Sequence, residues 1–310
     1  MNTATLQNPT ALSDFRLGFS VVGEPIFLQD GTLVPKKQAI VRTDNRVTLG
    51  IFSEKYIAFQ NEQMLELCQE IGNRSDLRIV GGDSFQGGRK VYLQMTTGND
   101  LILGTDKVEG YITCLNSFDG STPLSFGFSH KTMSCENMFY AGQVSATLKH
   151  RMRHTSNLDA NVRTAVGKIE RLRLQEVAIF NQIKSMNETA PTQQDVDMIF
   201  RRMLNLKEGS VLLSGDGVVV NERAFDSTYD NQKDEFVTEY STRKYNQAVD
   251  LRSCIVSEMQ QKGNSKWGLF SGVTRYSTHE QYSNLQESTT NKMFGGAGVT
   301  ERKIFSDMVA

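Results

Sequence analysis

The chain has 310 residues, 38% of them hydrophobic and 22% charged, with five prolines and a net charge of −1. That balance belongs to a compact soluble chain rather than a disordered one, and it removes overall basicity as a reason to bind nucleic acid. The start, Met1 to Arg16, carries no secretory pattern and no window approaches the ~18 apolar residues of a membrane span, so the expectation is a cytoplasmic protein with no membrane partner.

Residues 1–34 are polar and irregular and read as a flexible N-terminal arm. Ala39–Thr43 and Val47–Phe52 then form two short β segments around Asp44-Asn45, a pair suited to a turn. From Ser53 the spacing becomes helical through Tyr56, Phe59, Met64, Leu67 and Ile71, and Gly72-Asn73 supplies a stop. Strands follow over Leu77–Val80, Arg89–Thr97, Glu109–Phe118 and Leu124–His130. In the second of these, Val91, Leu93 and Met95 alternate with Lys90, Tyr92 and Gln94, as in a sheet with one solvated face.

From Cys135 the pattern is helical, and the stretch Phe128–Asn157 reads as a strand running into a helix that ends in His150, Arg151, Arg153 and His154. Val162, Val166, Ile169, Leu172, Val177, Phe180 and Ile183 stripe a long helix. A second helix starts at Thr192 as N-cap, Val211–Val220 reads as a small hairpin, and helices over Phe236–Gln261, Lys266–Thr278 and from Thr300 finish the chain. The fold class is therefore α+β: an N-terminal antiparallel sheet packed on helices, followed by a mainly helical C-terminal half. The organisation reads as the arm, a core over 35–157 that carries nucleic-acid binding, and a helical region over 158–310.

Charge is unevenly spread. Lys131–Gln175 holds eight Lys/Arg against three Asp/Glu, whereas Lys207–Asp250 holds five against nine. A local positive field attracts a polyanion even in a near-neutral molecule, because screening confines each patch to about 10 Å.

The candidate chemistry is thin. His150 and His154 share a helix face by spacing, but no third ligand stands at a recognisable distance in sequence, so no metal and no cofactor is read. Cys135, paired with His130 or His154, has no flanking pattern of a nucleophile, and the other cysteines (Cys68, Cys114, Cys254) make no CxxC. Gly295-Gly296-Ala297-Gly298 lacks the Lys-Ser/Thr pair of a phosphate loop and reads as a hinge or close-packed turn. No catalytic residue is assigned. The binding candidates are Arg42, Arg89, Lys90, Tyr92, Lys131, His150, Arg151, Arg153 and His154: cations that track phosphates, with Tyr92 as a stacking face. Scattered surface cations are the plain alternative.

Eight blocks, among them Val41-Arg-Thr-Asp-Asn, Gly87-Gly-Arg-Lys-Val-Tyr, Asn116-Ser-Phe-Asp-Gly, Trp267-Gly-Leu-Phe-Ser-Gly-Val-Thr-Arg-Tyr and Phe294-Gly-Gly-Ala-Gly-Val-Thr-Glu-Arg, resemble in order a phage- and plasmid-borne family catalogued as a domain of unknown function. More distantly, the order of elements is similar to the single-strand annealing proteins of the Rad-fifty-two type. That resemblance implies single-stranded DNA held by its backbone in a basic groove, annealing in recombination of a mobile element, a homo-oligomer, and the host cytoplasm as location. Two other readings stay open: a protein-interaction module whose acidic segment Lys207–Asp250 docks a partner, as in counter-defence, and a nucleic-acid-processing enzyme.

Overall fold

The computed structural model describes residues 12–75, 77–104, 106–132, 138–139, 150–152, 176–215, 217–230 and 235–310. The chain forms two compact units. The first comprises Met1–Asp100, Glu109–His130 and Ala141–Val177, and the second Leu101–Val108, Lys131–Tyr140 and Ala178–Ala310. Leu101–Val108, the outer part of one long hairpin, thus groups with the helices.

In the first unit, β1 (Val21–Phe27), β2 (Leu33–Arg42) and β3 (Thr48–Ser53) make an antiparallel sheet in that order. The turn at Asp44-Asn45 is where the sequence puts it. The flexible arm is corrected from residue 12 onward: Leu17, Phe19 and Val21 are core residues, and the buried Asn61 amide donates to the carbonyls of Leu17 and Phe19, each at 3.0 Å. Helix α1 runs over Asn61–Ser75 and not from Ser53. Gln63 accepts the Gln60 backbone N–H at 2.9 Å and fixes the start there, while Tyr56 stacks on Phe52 with ring centroids 4.0 Å apart. Tyr56 and Phe59 continued the apolar periodicity because they pack, without being helical.

The second sheet has six strands: β4 (Arg78–Phe85), β5 (Lys90–Leu103), β6 (Asp106–Ser117), β7 (Leu124–Thr132) and β8 (Met138–Phe139) in that order, with β9 (His150–Met152) paired to β7. Met64, Leu67, Cys68 and Ile71 of α1 meet Val91, Leu93 and Met95 of β5 and Ile112 and Cys114 of β6 in one core. The helix brings its residues to one side at a spacing of three and four, and the strands do so at every second residue.

Lys90, Tyr92 and Gln94 are half-exposed as the alternation requires, but the solvated face stops there. On β6 and β7, Thr113, Leu115, Ser117, Ser125 and Ser129 are fully buried as well. Their polar groups pair across strands: Gln94 donates to Thr113 at 3.4 Å, and the Thr113 and Ser129 hydroxyls lie 2.7 Å apart.

The second unit holds helical residues of α2 (176–188, of which 178 onward belong here), then α3 (Gln193–Leu204), α4 (Thr242–Lys262), α5 (Lys266–Arg275), α6 (Leu285–Phe294) and α7 (Gly296–Val309). Thr192 is the N-cap of α3 and forms a full capping box with Asp195. The hairpin β10–β11 (Val211–Ser214, Gly217–Val220) is also as expected, whereas β12–β13 (Ser227–Asp230, Glu235–Thr238) is an addition that takes Phe236 out of the helix assigned to it.

Two glycines decide how α4 and α5 meet. A Cβ on Gly268 would stand 2.5 Å from the Gly263 carbonyl, and one on Gly272 only 2.3 Å from the Ile255 Cα. The backbones touch because these positions, four apart on α5, carry nothing. Beyond Arg275 the helix widens into a π turn over Tyr276–Glu280.

Buried charge braces the same unit. Lys262 sits 3.0 Å from Glu258 and 3.2 Å from Asp106, and Lys292 sits 2.9 Å from Glu301, which also accepts the Ser277 hydroxyl. Among the described residues no helix is long and apolar enough to cross a membrane.

Candidate nucleic-acid interface

One end of the six-stranded sheet collects several of the cations singled out in the sequence. The Arg89 carbonyl accepts the Phe118 N–H at 2.7 Å, so the start of β5 lies beside the end of β6. Ser117 donates to the Thr122 carbonyl at 2.8 Å and ties β6 to the turn that enters β7. On β7, Leu124, Ser125 and Phe126 stand opposite Met152, Arg151 and His150. Arg89, Lys90, His150 and Arg151 therefore occupy the same end of one sheet within the first unit. Strand spacings of ~4.8 Å put β9 about 14 Å from β5.

This placement corrects the expected basic helix. His150–Met152 is a short strand hydrogen-bonded to β7, so the four-residue helical spacing that paired His150 with His154 does not apply at its first member. Arg153, His154 and Cys135 lie outside the described residues. Lys131 stands near the far end of β7, six residues beyond Ser125, and does not join the cluster.

Arg42 reaches this end of the sheet but is spent on internal bonds. Its guanidinium takes Asp44 through Nε at 2.9 Å and Nη2 at 2.6 Å, and donates through Nη1 to the Gly87 carbonyl at 2.9 Å. It also lies 3.9 Å above the Phe19 ring and is only 15% exposed. The Arg42 guanidinium holds the Asp44 carboxyl below its ordinary range, first by hydrogen bonding. The residue fixes the Gln86–Gly88 turn, where Gly87 and Gly88 have φ of 71° and 98°, and so presents Arg89, which is exposed.

Tyr92 is not an open stacking face. Its ring lies against Phe85, nearly parallel, with centroids 5.5 Å apart. Burial pushes its hydroxyl up to about 12, with Asp83, directly across β4, adding to the shift and Arg16 opposing it. The exposed ring of this unit is one that the sequence reading passed over: Phe27, at the tip of the β1–β2 hairpin, is 58% exposed and directly opposite Leu33. Its signal was an apolar pair, Phe27-Leu28, inside a segment taken as an arm.

Other residues considered in the sequence lie in the interior. Cys68 and Cys114 are buried thiols facing each other between α1 and β6; burial first, and then the Cys68 thiol, raise Cys114 well above the usual thiol range. A buried protonated thiol is inert. His130 is buried within β7. Gly298 is a close-packing position, since a Cβ there would stand 1.9 Å from the Lys292 carbonyl.

Comparison with curated proteins finds no match, and comparison with solved structures finds none either. A family model does match, over residues 48–294, which takes in α1, the six-stranded sheet and the helices through α6. The blocks noted in the sequence now have places in the fold: Gly87-Gly-Arg-Lys is the turn held by Arg42, Asn116 donates from β6 to the Phe59 carbonyl at 3.0 Å, and Trp267–Tyr276 is the helix that touches α4 through bare backbone. The chain belongs to the family described as Domain of unknown function (DUF932).

Proposed function

We propose that this protein binds single-stranded DNA through its backbone and serves strand annealing, as a binding protein and not an enzyme, in recombination of a mobile element. The observation that carries the reading is the gathering of Arg89, Lys90, His150 and Arg151 at one end of a sheet, next to a turn that Arg42 holds rigid. Cations at the mouth of a pre-formed sheet neutralise phosphates and release counterions, with no demand on base identity. Bases remain free to pair with a second strand. The surrounding sequence supports the same sign of charge, since Lys131–Gln175 is the strongly basic stretch of the chain.

The test is the salt dependence of binding to a fluorescent oligothymidine. Each phosphate contact contributes about 0.7 to the slope of log affinity against log salt for a single strand. Arg89→Ala with Arg151→Ala should therefore flatten the slope by about 1.4. Absence of binding at low salt and micromolar protein, or a slope unchanged in the double variant, overturns the proposal.

A further inference from the structure

In the second unit an open cleft of about 800 Å³ lies between the end of β13, the first turn of α4 and the short 3₁₀ turn Glu222–Phe225. Three rings line it. Phe225 lies 5.1 Å from Tyr240, tilted by 44°, and 5.3 Å from Tyr245 in an edge-on arrangement at 74°. All three are half-buried, so each keeps a share of its surface toward the cleft. Two carboxylates, Glu222 and Asp226, flank Phe225 on the wall, and both are exposed. Among the described residues no lysine or arginine lines this cleft, and the other lining groups are the hydroxyl residues Ser227, Ser241 and Thr242.

Aromatic faces are negative at their centre and attract cations, and carboxylates at the rim add charge without filling the space. The α4 N-terminus opposes them with its partial positive charge, but the Ser241 hydroxyl already accepts the Lys244 N–H there, and roughly half a unit of charge faces two full negative ones. The Tyr240 hydroxyl accepts the Lys207 backbone N–H at 2.8 Å, which fixes the ring between this cleft and a neighbouring groove where Arg201 and Lys207 are ion-paired with Glu208 and Glu239.

We infer that the cleft of Phe225, Tyr240 and Tyr245, with Glu222 and Asp226, is a receptor for an arginine side chain presented by a partner polypeptide. A guanidinium is planar, stacks on a ring and still donates sideways to carboxylates, whereas an ammonium is a compact, strongly hydrated point charge. Two carboxylates four residues apart, with a ring between them, fit the planar group. The inference is independent of DNA binding, since it uses a different unit and the opposite charge.

The probes are a triarginine peptide, its trilysine and tricitrulline counterparts, and free spermidine, titrated calorimetrically into the full chain at low salt. Triarginine should bind most tightly, trilysine and spermidine at least fivefold more weakly, and tricitrulline not measurably. Glu222→Gln with Asp226→Asn, both at exposed positions, should weaken triarginine at least tenfold without disturbing the fold. Tyr245→Leu should do the same, and Trp267 fluorescence reports whether that variant remains folded. Equal binding of tricitrulline, or triarginine affinity unchanged in the carboxamide variant, overturns the inference. Spermidine binding as tightly as triarginine would reassign the cleft to a free polyamine and overturn the peptide-borne arginine.

Discussion

Gly272→Ala should weaken the helical unit although it puts a better helix former into the middle of a helix. By propensity alone, the change gains roughly 1 kcal/mol. Geometry opposes it: the new methyl would stand 2.3 Å from the Ile255 Cα, 2.7 Å from its N and 2.7 Å from its Cγ1. Two of those atoms are backbone, so no side-chain rotation relieves the clash, and α4 and α5 must part by about 1 Å along their line of contact. Overpacking of a rigid interior costs about 1–3 kcal/mol, and a backbone contact belongs at the upper end, leaving a net loss of about 2 kcal/mol. The single tryptophan, Trp267, is buried on α5 five residues earlier, so its emission follows this helix directly. With a urea slope of about 2 kcal/mol per molar, the midpoint seen by Trp267 should fall by about 1 M. Gly296→Ala in the first turn of α7 is the matched control, since its methyl meets nothing within 4 Å; it should be neutral or gain a few tenths of a kcal/mol. A Gly272→Ala midpoint equal to or above the parent would refute the argument that bare backbone contact sets this helix pair.

Lys292→Met leaves Glu301 charged and buried beside Ser277; the loss should be about 3–5 kcal/mol, and Lys292→Met with Glu301→Gln should recover more than half of it in the same urea assay. Arg42→Ala should cost about 1.5–3 kcal/mol for its charge-assisted bonds, yet leave the salt slope of oligothymidine binding within error of the parent, because its guanidinium is turned inward. Alkali should destabilise the fold in a defined window: burial raises Cys254 from 9.0 to about 11 and Tyr92 from 10.0 to about 12. The folded chain then holds protons that the unfolded chain has lost, so stability stays level below about pH 9 and falls as pH rises toward about 12, read from urea midpoints across pH.

Patterning exposed much of the architecture because the strongest signals are local. The alternation in Val91–Met95, the Asp44-Asn45 turn and the Thr192 cap each depend on a few neighbouring residues, and each is where the sequence puts it. Errors arose where packing imitates periodicity or overrides it. Tyr56 and Phe59 continue a helical stripe yet lie in an irregular link, Leu17 and Phe19 look like arm residues until Asn61 pins their carbonyls, and His150–Met152 has the composition of a helix end but pairs with β7. The candidate site was legible as residue types and not as geometry. Nothing local tells that Arg42 bends back to Gly87, that Tyr92 lies on Phe85, or that Phe225 and Tyr245, twenty residues apart, share one cleft.

The hairpin of β5 and β6 has its base among the sheet residues and its outer part, Leu101–Val108, among the helices. Asp106 on that outer part supplies one of the two carboxylates around Lys262. A gene cut in the middle would give a front fragment carrying an acid without its lysine, and a back fragment carrying a lysine short of an acid. An exchange that parts the hairpin from the helix of Lys262 breaks this ion pair unless both parents carry its two ends, so a crossover point is safest outside the stretch that joins them.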